Sequence, residues 1–201
     1  MCNVLSDVWV NRWVLKLLIS SAVEVYPRET MGLLWGVKEY KKLSRKRKRV
    51  LSVKAVYPIQ TARRTLTSVD WGNKSAKIRL LNTLRSIRVG IIGEFHSHTK
   101  VGAVAQPSSE DLRYYLRESL AGREIIGKDW IEMVIRISEY KVDPSQKESV
   151  YGNYRYRKAE RFHVRLSDKA YDITLSAWFI KPKNDRFIAR QGTVWIEWPI
   201  A

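Results

Sequence analysis

Cysteine is all but missing from this chain. Its 201 residues contain one, Cys2, which excludes an internal disulfide framework and any cluster of thiolate zinc ligands. Its place at the N-terminus also makes it a poor candidate nucleophile. Histidine is scarce as well, at three: His96, His98 and His163. Long apolar runs are lacking. The most apolar early stretch, Val8 to Val25, is interrupted by Arg12, Lys16 and Glu24, so it cannot span a bilayer. No signal-peptide pattern is seen, and a reducing cytoplasm is the default expectation. Acidic residues are few, 20 against 37 Lys and Arg, for a formal charge of +17 and a pI near 10.1. Such an excess fits a nucleic-acid or membrane-surface partner, a solvated Lys/Arg face of thermophile type, or an acidic protein substrate steered in by the field. Charge alone does not choose among them.

What is present points to a packed protein. The hydrophobic share is 45%, with eight Trp, and the length suits one domain with a sizeable core and room for an extension. Val8 to Val25 carries Val10, Trp13, Val14, Leu17, Leu18 and Ser21/Ala22 at helical spacing, with Ser6 or Asp7 as N-cap and Pro27 as the stop. Met31–Val37 and Val50–Tyr57 read as strands. Between them Lys38 to Arg49 holds the densest charge run, which predicts a solvated hairpin loop. Pro58 to Ser68 reads as a polar loop. A second helix is predicted from about Trp71 to Arg88, with Ile78, Leu81, Leu84 and Arg85 on one face. Trp130 to Ile137 alternates as a strand, and Asp143-Pro144-Ser145 marks a turn. The last fifty residues alternate as sheet, including Phe162/Val164/Leu166, Tyr171 to Phe179 and Val194/Ile196/Trp198. His163 falls on a polar strand face and reads as a surface histidine. Tyr154-Arg155-Tyr156-Arg157 interleaves aromatics with bases, as single-strand nucleic-acid binders do, and equally as a solvated sheet face does.

The chemistry concentrates in Gly93-Glu94-Phe95-His96-Ser97-His98 and the following Pro107-Ser108-Ser109-Glu110-Asp111. Val89 to Ser97 alternates as a strand, so His96 and His98, two apart, project side by side. Asp111 can add a third corner if the loop folds back. Two His, one carboxylate and an open position is the donor set of a catalytic zinc site. The same Ser108 and Asp111 also read as N-cap and N3 of a helix that ends near Gly122, a capping box ahead of Leu112, Tyr115 and Leu116. The two readings are compatible, since a helix start is a rigid place from which to present a ligand. Glu94 shares the histidines' strand face, either as an acceptor for an imidazole N–H or as a base.

Taken with Pro27-Arg28-Glu29-Thr30-Met31-Gly32-Leu33-Leu34-Trp35-Gly36, these motifs resemble the JAMM, or MPN-plus, zinc metalloproteases (the Mov34/MPN/PAD-1 group, in a prokaryotic form related to the proteasome-lid deubiquitinase). The family pattern is Pro-x-Glu-x-x-Gly-Leu-Leu-x-Gly, then His-Ser/Thr-His-Pro, then Ser-x-x-Asp, and all three occur here in order, the second without its final Pro. The resemblance implies an α/β fold of the JAMM/MPN, cytidine-deaminase-like kind, with a curved mixed β-sheet flanked by helices. It places a catalytic core at residues 1–140, with residues 141–201 as a β-rich C-terminal extension packed on the same domain. It implies one Zn2+ per chain on His96, His98 and Asp111, the general base at Glu29 and an oxyanion-stabilising hydroxyl at Ser108.

The implied activity is removal of ubiquitin or a ubiquitin-like modifier from lysine, the modifier's tail adding as a strand beside the site. Processing of a small sulfur carrier, a scaffold role and nucleic-acid binding through Lys38–Arg49 are the alternatives. A proteasome-type or other assembly is a further partner class. The chain departs from the pattern in having Thr99 where the family has Pro, and in a His98-to-Ser108 spacer two residues longer than usual.

Overall fold

The computed structural model describes residues 5–86, 90–100, 102–120, 129–141, 153–156, 158–166, 169–184 and 186–197. In chain order the elements are β1 (Asp7–Val10), α1 (Arg12–Val25), β2 (Met31–Leu43), β3 (Lys46–Pro58), β4 (Arg63–Arg64) and β5 (Val69–Asp70). There follow α2 (Lys74–Ser86), β6 (Ile91–His98), α3 (Ser109–Leu120), β7 (Ile131–Lys141), β8 (Asn153–Tyr156), β9 (Ala159–Leu166), β10 (Lys169–Lys183) and β11 (Arg186–Ile196). The result is a mixed α/β fold built on one large sheet, ordered β11-β1-β3-β2-β6-β7-β10-β9-β8, with β4 and β5 forming a separate small ladder.

The large sheet closes on itself. Strand β10 gives one edge to β7 from Lys169 to Phe179. Its other edge goes first to β9 and then, from Ala177, to β11. Strand β11 continues into a parallel ladder with β1, where Asp7 faces Thr193 and Val10 faces Ile196. The β6–β7 pairing is also parallel, while β2 is antiparallel to both β3 and β6.

Alternation along the strands sorts the core. Leu34 of β2 and Phe95 of β6 join Val14, Leu15, Leu18 and Ala22 of α1 on one side of the sheet. Leu33, on the opposite side, packs with Leu81 and Leu84 of α2 and with Trp71. Tyr115 of α3 packs with Trp130, Ile180 and Phe187. The face between α2 and α3 carries Glu94, His96 and His98.

Several sequence expectations are corrected. Val8 to Val25 is not one helix: its first residues form β1, and α1 begins at Arg12, with the Asn11 side chain accepting from Val14 N at 2.8 Å. The β-branched pair Val8 and Val10 completes ladders with β3 and β11, partners too distant in sequence for local periodicity to register. Neither Ser6 nor Asp7 is the cap. Trp13 and Leu17 lie outside, 59% and 49% exposed, and Leu15 takes the core position. Lys38–Arg49 is not a loop, because β2 and β3 run through it and leave Ser44-Arg45 as the turn.

The stretch 58–68 includes β4. The second helix begins at Lys74, where Asn73 Oδ1 accepts from Ala76 N at 2.9 Å. Its Ile78 is exposed, whereas Lys77 is buried. The Asp143–Ser145 turn, Gly122, Arg157 and Trp198 lie outside the described residues.

Candidate metal centre

Strand β6 is held on both edges, by β2 and by β7. Gly93 makes this possible at its start, because a Cβ there would lie 1.9 Å from the Ile131 carbonyl oxygen. The pairing places Glu94 beside Glu132 and His96 beside Val134. Both imidazoles point to the α2/α3 side. Asp111 reaches them from the first turn of α3, which starts as the sequence predicts: Ser108 Oγ accepts from Asp111 N at 3.1 Å, and Asp111 Oδ2 accepts from Ser108 N at 2.6 Å. The Ser108 hydroxyl thereby keeps its own proton for another acceptor.

The ligand atoms converge. His96 Nε2 lies 2.9 Å from His98 Nε2 and 3.7 Å from Asp111 Oδ2, and the three donors all fall within 4.8 Å of one another. Donors about 2.05 Å from a tetrahedral ion sit roughly 3.3 Å apart, so these separations bracket what zinc requires. The far sides of the rings both meet oxygen acceptors. His98 Nδ1 lies 2.9 Å from the Val104 carbonyl, which can only accept, and His96 Nδ1 lies 3.0 Å from Glu132 Oε1. With its Nδ1 proton donated outward, each neutral ring would present an Nε2 lone pair to a shared ion. In that form the two Nε2 atoms and the Asp111 carboxylate make up the donor set of a zinc site, and the residues fit it.

The surrounding charge follows from burial. Burial works against charge on His96, but the Glu132 carboxylate outweighs it by charge and by hydrogen bond, Asp111 and Glu29 adding, and raises the group to about 9. His98 is pushed down, by burial first and then by His96. Burial pushes Glu29 up to about 7, with His96 opposing and Asp111 reinforcing. Glu94 is likewise raised by burial to about 7, opposed by Lys77 and reinforced by Glu132. A carboxyl held near neutrality both takes and gives a proton readily.

Glu29 is positioned by main-chain bonds. Its N–H donates to Thr65 O at 2.9 Å, and the next residue, Thr30, bonds Ser97 Oγ and Ser97 N at 2.8 and 2.9 Å. This stitches the α1–β2 connection to β6, and Glu29 lines one cavity of about 1060 Å³ with His96, His98, Ser108 and Asp111. Thr99, in the family's proline position, directs its hydroxyl to Pro27 O and Leu66 O at 2.8 and 3.0 Å. The longer spacer folds back onto β10, where Ala105 O accepts from Trp178 Nε1 at 3.0 Å. Asp111 keeps its place.

One residue escaped the sequence reading. The carboxylate at His96 Nδ1 is Glu132, not Glu94, whose Oε1 has no hydrogen-bond partner among the described residues. The signal was the one acid in the β7 run Ile131 to Ile137, whose residues are apolar apart from it and Arg136, since a buried charge needs a reason. His163 lies apart from the site and pairs with Asp172 across the β9–β10 ladder.

No curated protein matches the sequence. Among solved structures the chain is similar to the solution structure of protein DSY2949 from Desulfitobacterium hafniense, at 16% identity and a TM-score of 0.49, over 96% of this chain and 95% of that one. The family model described as prokaryotic homologs of the JAB domain matches residues 12–146, well over half of the chain. The matched span takes in Glu29, His96, His98, Ser108 and Asp111, and the chain belongs to the JAB/MPN family.

Proposed function

We propose that this protein is a zinc-dependent peptidase of the isopeptidase type, cleaving the bond between the C-terminus of a ubiquitin-like modifier and a lysine side chain. The observation that carries the reading is the convergence of His96, His98 and Asp111, with each imidazole Nδ1 facing an oxygen acceptor on its far side. Those three residues would hold the ion. When bound, it supplies Lewis acidity, which polarises a carbonyl and acidifies water.

The chain's own groups do the rest. The Glu29 carboxylate takes a proton from the attacking water and returns it to the departing amine nitrogen. The Ser108 Oγ–H donates to the oxyanion, a contribution of about 3 kcal/mol. Strand β6 has no free edge, so an extended tail cannot pair with it. The β4–β5 ladder, whose Arg63, Val69 and Asp70 line the cavity, offers backbone edges instead.

The test uses purified protein and a ubiquitin-like–lysine conjugate. Wild type binds one zinc and cleaves. Glu29→Gln keeps the zinc and loses cleavage by a factor of about 10³ or more. His96→Ala loses both. Cleavage by Glu29→Gln at the wild-type rate would remove Glu29 from the mechanism, and a zinc-loaded wild type inert on such conjugates would leave a scaffold.

A further inference from the structure

The β2–β3 arm is chemistry the metal centre does not use. Strand β2 pairs with β6 from Met31 to Trp35, and β3 pairs with β1 from Leu51 to Val53. Past those points, among the described residues, the two strands have only each other as ladder partners, as far as Leu43 and Lys46. The arm is a two-stranded ribbon that carries eight cations between Lys38 and Arg49 against one carboxylate, Glu39.

The ribbon is preformed. Lys41 lies 5.1 Å over the Trp9 ring and Lys48 5.7 Å over Trp195, which fixes its flank, while Lys42, Arg45, Lys46 and Arg47 stay exposed. Its turn is strained, for Ser44 and Arg45 stand at φ 47° and 68°, where Asn and Gly are the usual occupants. Residues held in such sparsely populated backbone regions cluster at functional sites.

We infer that this arm is a binding surface for the phosphate backbone of a double-helical nucleic acid. Three observations select that partner. Lys is depleted in the cores of protein–protein interfaces, which favour apolar anchors, and the arm offers cations instead. A ribbon has the width that a duplex major groove admits, and exposed cations on successive residues meet the phosphate rows flanking it. Single strands need a stacking platform, and the arm's one aromatic, Tyr40, already has the Arg47 guanidinium 4.9 Å from its ring. This inference stands independently of the peptidase reading.

The experiment is fluorescence anisotropy of a short labelled DNA duplex with full-length protein across a salt series. Two variants remove equal charge: Lys42→Gln/Arg45→Gln/Lys46→Gln/Arg47→Gln on the arm, and Lys16→Gln/Arg79→Gln/Lys141→Gln/Lys183→Gln elsewhere. The arm variant should bind at least about tenfold more weakly and lose about 3 to 4 from the slope of log affinity against log salt. The control should stay within about threefold of wild type. In wild-type protein, duplex should also protect Lys42 and Lys46 from acetylation, a readout independent of how the variants fold. Equal losses in both variants, no protection at Lys42 and Lys46, or arm-dependent binding of an acidic protein in place of duplex would each overturn the inference.

Discussion

At the scale of single residues, the centre shows which roles a motif announces and which it leaves to the fold. His96, His98, Asp111, Glu29 and Ser108 stand in short runs whose spacing is readable, and the structure draws the first three together. Glu132 has no motif, because its value lies in reaching His96 diagonally across a parallel ladder formed 36 residues along the chain. Its removal tests the centre from behind. Glu132→Gln keeps the shape but loses the charge that fixes the His96 ring and its tautomer, so zinc affinity should fall about 10- to 100-fold. A chelator competition on the purified variant measures this. Unchanged affinity would show that the His96 orientation comes from packing alone.

At the scale of elements, what the sequence revealed depended on whether an element's partners were close. The His-bearing strand and the α3 start were legible, since alternation and a capping box are local signals. Strand β1 was not, because Val8-Trp9-Val10 has the apolar content of a helix turn and gains its pairing from the far end of the chain. The charged arm was misread for a related reason. Like charges suggest solvation, yet the cross-strand pair Lys41 and Lys48 lies over Trp9 and Trp195, and the ladder continues to Leu43 and Lys46. Its Ser44-Arg45 turn has no residue suited to positive φ, which yields a stability prediction. Ser44→Asn with Arg45→Gly should raise stability by about 1 to 2 kcal/mol, read by urea unfolding at constant m. A loss of stability would mean that the tip side chains contribute contacts exceeding the strain.

At the scale of the whole molecule, the final strands share the core with the first ones. Ile173, Leu175, Phe179 and Val194 are buried with Val8, Val14 and Phe95. Alternation could show that the last fifty residues were sheet, but not that β10 would serve three neighbours and bring β11 round to β1, since strand order is not written in it. A chain ending at Lys141 should therefore show no cooperative thermal unfolding, whereas the full chain should melt in one transition. A truncated protein that melts cooperatively would make residues 142–201 a separable addition. No described helix is long and apolar enough to cross a membrane.

The β1–β11 ladder has a mechanical corollary. Its strands lie side by side and run the same way, one near each end of the polypeptide. Tension applied between the two ends pulls along the strands and crosswise to their bonds, so every bond in the ladder carries load together instead of opening one after another. Traction on either tail meets a shear clamp before it can disturb the sheet that holds the histidines.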